Sequence, residues 1–353
     1  MKKGIMSLFA MAMMLLGTSC SEDVHVPGVE EDMSAVTFSL GIEEDIETRA
    51  LSNQKDISDG LGADVLMYAV FNKDGKRVSA IYNGNGTRLD TQVNGKVVYS
   101  NVTFPKQETI LLPKGQTFTI AFWAQNGECK AYTVSDDMQL SVDYENAINN
   151  DERKDTFFKT IQITVKGSES LNVVLRRPFA QLNVGVTDTD WNAAVGTGVT
   201  INKSKVKIDN VATSMDLLTG KVSGYKTVEF GLHPIPATFT PNNDGEEYLW
   251  VDMDEDGTLE RYKYLSMTYL LVYDYESAAS DQKVLLNNAY FEFHAPNATP
   301  ITLGGLNKVP VRRNWRTNII GQILTGNVTF NIKICPCYYG DYNTNNPEVD
   351  YNN

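Results

Sequence analysis

The chain has 353 residues and a formal net charge of −13. That length suits about two domains, and so acidic a chain disfavours nucleic acid or an anionic membrane surface as partner. Much of the acid sits at the start, where residues 1–49 hold nine acidic and three basic side chains.

Lys2 and Lys3 precede an apolar run over residues 5–16, which ends in Gly17-Thr18-Ser19-Cys20. A positive start, a short apolar run and small residues describe a secretory signal over residues 1–19 rather than a transmembrane helix. A cysteine directly after such a run resembles a bacterial lipobox, in which Cys20 carries palmitate-type acyl chains that anchor the mature chain. The place three before Cys20, usually leucine, is Gly17, with Leu16 one further out. An ordinary secretory signal beside a bystander cysteine is the alternative. No later segment is apolar enough to cross a bilayer as a helix.

Residues 20–49 form an acidic stretch with one strand, in which Val36, Phe38, Leu40 and Ile42 alternate with smaller or polar residues. That is the period of a half-buried strand. The same alternation recurs at residues 117–124, 160–165, 171–175, 180–186 and 327–334, the last through Val328, Phe330, Ile332 and Ile334. Residues 64–71, 248–253 and 262–273 are more continuous apolar or aromatic runs, which suggests strands covered on both faces. Turn residues separate them at Lys73-Asp74-Gly75-Lys76, Asn83-Gly84-Asn85-Gly86, Asn94-Gly95 and Asp256-Gly257. Only residues 143–150 and 188–195 read as weakly helical. Many short strands with Gly and Asn turns predict an all-β chain of β-sandwich architecture.

Pro178 sits between two alternating segments, where it would interrupt a central ladder. The boundary between two tandem sandwiches is placed there, giving residues 50–178 and 179–335. The polar tail 336–353 lacks periodicity and is expected to be mobile. Besides Cys20 there are Cys129, Cys335 and Cys337. A bridge within Cys335-Pro336-Cys337 would be strained. One from Cys129 to that pair is open, and unpaired thiols are the expectation.

Catalytic chemistry finds little footing, and the chain is read as not an enzyme. From Ala50 onward the histidines are His233 and His294, in unrelated settings, and no zincin motif, nucleophile elbow or phosphate loop occurs. His233, before Pro234, reads as a loop residue. Asp252, Asp254 and Asp256 with Gly257 match the start of a calcium loop. Position twelve is Lys263 instead of glutamate, so the plainer reading is an acidic hairpin turn with no metal. No cofactor is implied. Trp123, Trp191, Trp250 and Trp315 fall mostly within strand patterns and are expected in the core. A sugar-stacking surface is their alternative use.

Three patterns together resemble the fimbrillin (type V pilin) families of Bacteroidales. Cys20 is followed by acidic Glu22 and Asp23, similar to a surface-export signal. Glu47-Thr48-Arg49-Ala50 follows one strand, similar to the site at which an arginine-specific protease matures such pilins. The block from Val309 through Arg313-Asn314-Trp315-Arg316-Thr317-Asn318-Ile319-Ile320-Gly321 resembles the stretch near the end of these proteins, and Arg-Pro-Phe-Ala-Gln-Leu at residues 177–182 is typical of them. The resemblance implies two transthyretin-like or fimbrillin-like sandwiches in a pilus subunit at the outer membrane and cell surface. It implies cleavage between Arg49 and Ala50, and polymerisation with other pilin subunits by strand addition. The expected strands are those of Val36, Phe38, Leu40 and Ile42, and of Val328, Phe330, Ile332 and Ile334. A host or bacterial surface ligand would be the adhesive partner. The alternative is a monomeric surface lipoprotein that binds glycan or a host ligand.

Overall fold

The computed structural model describes residues 32–42, 62–89, 95–145, 149–236, 248–256, 258, 260–272, 284–326 and 328–335. Cys20, Arg49, Ala50, Cys337 and the tail 336–353 lie outside the described residues. In chain order the strands begin with β1 (Met33–Ile42), β2 (Val65–Asn72), β3 (Tyr82–Asn83), β4 (Lys96–Ser100) and β5 (Lys106–Pro113). They continue with β6 (Thr117–Gln125), β7 (Tyr132–Val134), β8 (Gln139–Val142), β9 (Thr156–Thr164) and β10 (Glu169–Leu175). Beyond Pro178 come β11 (Phe179–Val186), helix α1 (Asp188–Gly196), β12 (Lys203–Val211), β13 (Ser214–Asp216), β14 (Val222–Ser223) and β15 (Lys226–Pro234). The last are β16 (Tyr248–Val251), β17 (Glu260–Leu271), β18 (Val284–His294), β19 (Ile301–Leu306), β20 (Val309–Val311), β21 (Arg316–Gln322) and β22 (Thr329–Cys335). The fold is all-β, as the alternation predicts.

Two sheets, β10-β1-β5-β3 and β4-β2-β6-β9, close over one core. Val36, Phe38 and Leu40 from one face meet Leu66, Tyr68, Ile120 and Phe122 from the other. Two more, β16-β17-β11-β21-β22 and β15-β12-β18-β19 with β20 on β18, close over a second. There Leu182, Val184 and Ile319 pack with Val206, Ile208, Phe230 and Phe291. A fifth sheet, β14-β13-β8-β7, is built from both halves of the chain. Met215 of β13 opposes Leu140 of β8, and both are fully buried. The outward side of β2 and β6, with Ala69, Phe71, Ala121 and Trp123, therefore joins the second core.

Local chemistry fixes the turns. Asn72 Oδ1 accepts from the backbone N–H groups of Asp74 and Lys76 at 3.0 and 2.9 Å, ahead of Gly75 at φ +72°. Asn83 repeats the device, accepting from Asn85 and Thr87 ahead of Gly86 at φ +76°. Asparagine closes such turns because its side chain imitates a backbone carbonyl, and glycine takes the left-handed residue without a Cβ penalty. Helix α1 forms where expected, capped by Thr187, whose hydroxyl accepts from Asp190 N–H at 3.2 Å.

Several expectations need correction. The described residues of 143–150 are not helical. Instead this stretch seals the edge of β17 beyond β16: Asn150 Oδ1 accepts from Met267 N–H at 2.8 Å and Tyr144 Oη from Leu271 N–H at 2.9 Å. An unpaired buried edge needs such partners, and side chains supply them as well as another strand would. Residues 248–251 are not covered on both faces; they alternate, because β16 is an edge strand. Residues 180–186 are not half-buried, since every residue of β11 is buried. Its polar face is closed by a network in which Asn183 bonds Gln181, Asn318 and Tyr264, and Gln181 bonds Tyr269 and Arg316. Alternation shows which side is polar; it does not show whether hydroxyls and amides from neighbouring strands will bury that side. Of the tryptophans only Trp123 is fully buried, while Trp191 on α1, Trp250 and Trp315 are half-buried. His233 lies on β15 rather than in a loop.

Candidate functional site

The strands singled out for complementation occupy contrasting places. β1 is an inserted strand, parallel to β10 from Val36↔Glu169 to Ile42↔Leu175 and antiparallel to β5 from Met33↔Pro113 to Leu40↔Lys106. Val36, Phe38 and Leu40 are completely buried, and Ile42 packs at the margin of the same core. Phe38 meets Phe122 edge-on at 5.4 Å between ring centres. β1 therefore fills a slot between two other strands and supplies part of the floor of the core.

Among the described residues β22 is an edge strand that pairs only with β21, from Arg316↔Cys335 to Gln322↔Thr329. Ile334 is buried and Phe330 half-buried, whereas Ile332 is 36% exposed. Just before the strand, Val328 is 42% exposed. The alternation that makes β1 and β22 look alike in sequence thus has different outcomes, because one lies between neighbours and the other at a margin.

The block ahead of β22 has a physical role at almost every position. Arg313 donates to Val272 O at 3.0 Å and Gly220 O at 3.2 Å. Asn314 turns the chain at φ +61° and its N–H bonds Phe179 O at 2.9 Å. Thr317 Oγ1 donates to Pro310 O at 2.6 Å, and Asn318 Oδ1 accepts from Asn183 at 2.8 Å. Gly321 passes so close to β22 that a Cβ there would lie 2.0 Å from Thr329 O. These residues seat the last hairpin on β11.

Sequence reading missed the groups that hold this hairpin. Asp190 of α1 is buried, and its carboxylate accepts from Ile323 N–H at 2.7 Å, Leu324 N–H at 2.8 Å and Thr325 N–H at 3.0 Å. It also accepts from Thr325 Oγ1 at 2.5 Å. An aspartate in the first turn of a helix is ordinarily read as a dipole partner, so nothing local reveals its bond to a turn 133 residues away in sequence. Lys333 of β22 donates to the carbonyl of Asp252 and lies 3.4 Å from Glu255.

That lysine reaches the acidic hairpin. Asp252, Asp254 and Asp256 come together with Glu260, a fourth acid not foreseen, their carboxylate oxygens all within 4.8 Å of one another. Much of this oxygen is already engaged by the hairpin itself: Asp252 Oδ1 accepts from Glu255 N–H and Glu260 Oε2 from Met253 N–H. Lys263 lies over the rings of Trp191 and Tyr248 at 5.1 and 5.2 Å. Tyr262 beside them is pushed up to about 12 by burial and then by Glu260.

The remaining candidates are dispersed. His233 and His294 lie on β15 and β18, on either side of β12. His294 contacts Glu292 at 2.9 Å, and burial lowers the His233 imidazole. Cys129 is a free, buried thiol whose pKa burial raises, which makes it unreactive. Cys335 closes β22.

The chain is similar to several solved structures. The tip fimbrial protein Mfa3 from Porphyromonas gingivalis with C-terminal truncation matches 86% of this chain and 99% of its own, at 12% identity and a TM-score of 0.39. The fimbrial anchor protein Mfa2 from the same organism matches 88% and 100%, at 12% identity and 0.38. A fimbrial assembly protein from Parabacteroides distasonis matches 86% and 95%, at 10% identity and 0.36. No curated protein matches the chain. The model of a family of unknown function, DUF6562, matches residues 29–352, and the chain belongs to that family.

Proposed function

We propose that the chain is a structural or adhesive subunit of a cell-surface pilus. In this reading it is exported as a lipoprotein acylated on Cys20, matured by cleavage between Arg49 and Ala50, and assembled with other subunits by β-strand donation. Residues 50–178 and 179–335 then act as tandem sandwich domains ahead of the tail 336–353. The observation that carries the reading is the place of β1, inserted between β5 and β10 and buried along one face. It is followed in sequence by an acidic stretch that contains Arg49. A cut there would make β1 a separate peptide. Its loss would expose two strand edges and a groove floored by core side chains, the arrangement that captures an extended strand from another chain.

Energetics favour a switch that needs the cut. Val36, Phe38 and Leu40 each contribute about 1.5–3 kcal/mol by full burial. While β1 is tethered, its high effective concentration excludes a competitor. β22 suits the donor role because its own sandwich leaves Val328 and Ile332 exposed. Donation to the next copy is head-to-tail, does not close, and builds a filament.

Two variants test this with the arginine-specific protease present. Arg49→Ala is expected to stay monomeric. A chain starting at Ala50 and lacking residues 327–353 is expected to stop self-assembling yet accept an added peptide of residues 327–335. Filaments from the uncut Arg49→Ala protein, seen by electron microscopy, would rule the mechanism out.

A further inference from the structure

Beyond assembly, we infer that a pocket at the β3–β5 edge of the first sandwich binds a neutral, hydroxyl-rich ligand, a short sugar. The pocket has a volume of about 500 Å³ and is lined by Ala35, Asn83, Asn85, Tyr99, Glu108 and Thr109 among others, a size suited to a small molecule. It forms because β3 pairs with β5 over only two residues. Past Asn83 the chain turns away, and Gly84 N–H makes a last bond to Thr109 O at 3.2 Å.

Glu108 is a charged group set among core side chains. It shares the inward face of β5 with Ile110 and Leu112, both in the core, yet it is a carboxylate only 7% exposed. Tyr68 Oη donates to its Oε1 at 3.0 Å and Tyr99 Oη to the same oxygen at 2.8 Å. Lys106 Nζ lies 3.4 Å from Oε2 and 4.6 Å from the centre of the Tyr99 ring. Apolar residues in place of Glu108, Lys106 and the two tyrosines together would keep the fold equally well or better, because buried charges repay their desolvation poorly, whereas removing Glu108 alone would leave both hydroxyls without an acceptor. Burial, and then Glu108, raise both phenols above their ordinary range, so they remain donors. A preformed polar cluster in the lining of a pocket is a mark of a ligand site.

The ligand class follows from the lining. Asn83 uses its carbonyl oxygen on the turn, which leaves its amide NH2 as a donor, and Asn85 is exposed at the rim. Thr109 and Tyr99 add hydroxyls, and Ala35 and the Tyr99 ring add apolar surface. Alternating donors, acceptors and a ring suit a pyranose. Lys106 is matched by Glu108, and the net charge of −13 repels acidic polymers. Because Ala35 belongs to β1, the pocket described is that of the chain with β1 in place.

The test is an array of neutral and acidic oligosaccharides probed with full-length protein, then saturation-transfer NMR on the best neutral sugar. Asn85→Ala, Tyr99→Phe and Glu108→Gln are each expected to weaken binding about tenfold or more. Lys207→Ala, on β12 in the other half, should leave it unchanged. Should Glu108→Gln fail to fold, the rim variant Asn85→Ala and the near-isosteric Tyr99→Phe decide. Binding of acidic sugars only, of no sugar, or of a neutral sugar with affinity indifferent to those two variants would overturn the inference. Assembly does not enter the readout, so the result is independent of the pilus mechanism.

Discussion

Lys154 shows what one residue can impose on the whole chain. It is buried, 4.8 Å from the centre of the Phe230 ring, and its pKa is lowered from 10.5 to about 8, chiefly by desolvation. The folded chain therefore holds a proton there less readily than the unfolded chain. Between about pH 8 and 10.5 the unfolded state binds more protons, so stability rises with pH over that window. The buried phenols of Tyr132, Tyr144 and Tyr264 act oppositely: their pKa values are raised by burial above 10, and their contribution falls away as pH climbs past 10. A stability maximum between about pH 8 and 10 is expected in denaturant titrations. Lys154→Met should flatten the rise and gain on the order of 1–3 kcal/mol near pH 7. A flat profile in the parent chain would contradict this account. Nothing around Lys154 in the sequence distinguishes it from a surface lysine, because its burial depends on β15 folding back over the short turn Glu152–Lys154.

At the scale of elements the last hairpin is decisive. Its apolar alternation was legible from Val328 to Ile334, but its seating depends on Asp190 and on the close approach at Gly321. Asp190→Ala would leave the buried amides of Ile323 and Leu324 without their acceptor, and is expected to cost about 2–4 kcal/mol. Hydrogen exchange should localise the loss to residues 323–335, with β1 and β5 still protected. Equal deprotection everywhere would mean that Asp190 supports the global fold rather than this hairpin.

The molecule as a whole is held together by strands that cross its midline. β7 and β8 come from the first half, yet β8 pairs with β13 of the second in one sheet, and the Tyr132 ring meets Trp123 edge-on and Phe179 at a tilt. The ion pair of Arg177 with Asp155, at 2.7 Å, is buried at the same junction. So many shared contacts couple the halves energetically. Calorimetry is expected to show one transition, with van't Hoff and calorimetric enthalpies equal. Two separated transitions would show that each half folds on its own.

The sequence by itself determined the class of fold and the places of most strands, since period-two alternation and Asn/Gly turns depend only on neighbouring residues. It also marked the acidic hairpin and the two strands whose pattern suits complementation. Only the tertiary structure decided that β1 lies between two partners while β22 lies at an edge, and that the polar face of β11 is buried. Only the fold could bring Asp190 to a turn 133 residues away, or set Glu108 between two tyrosines. Such arrangements depend on which distant strands pair and how their faces close, and no local period in the chain encodes that.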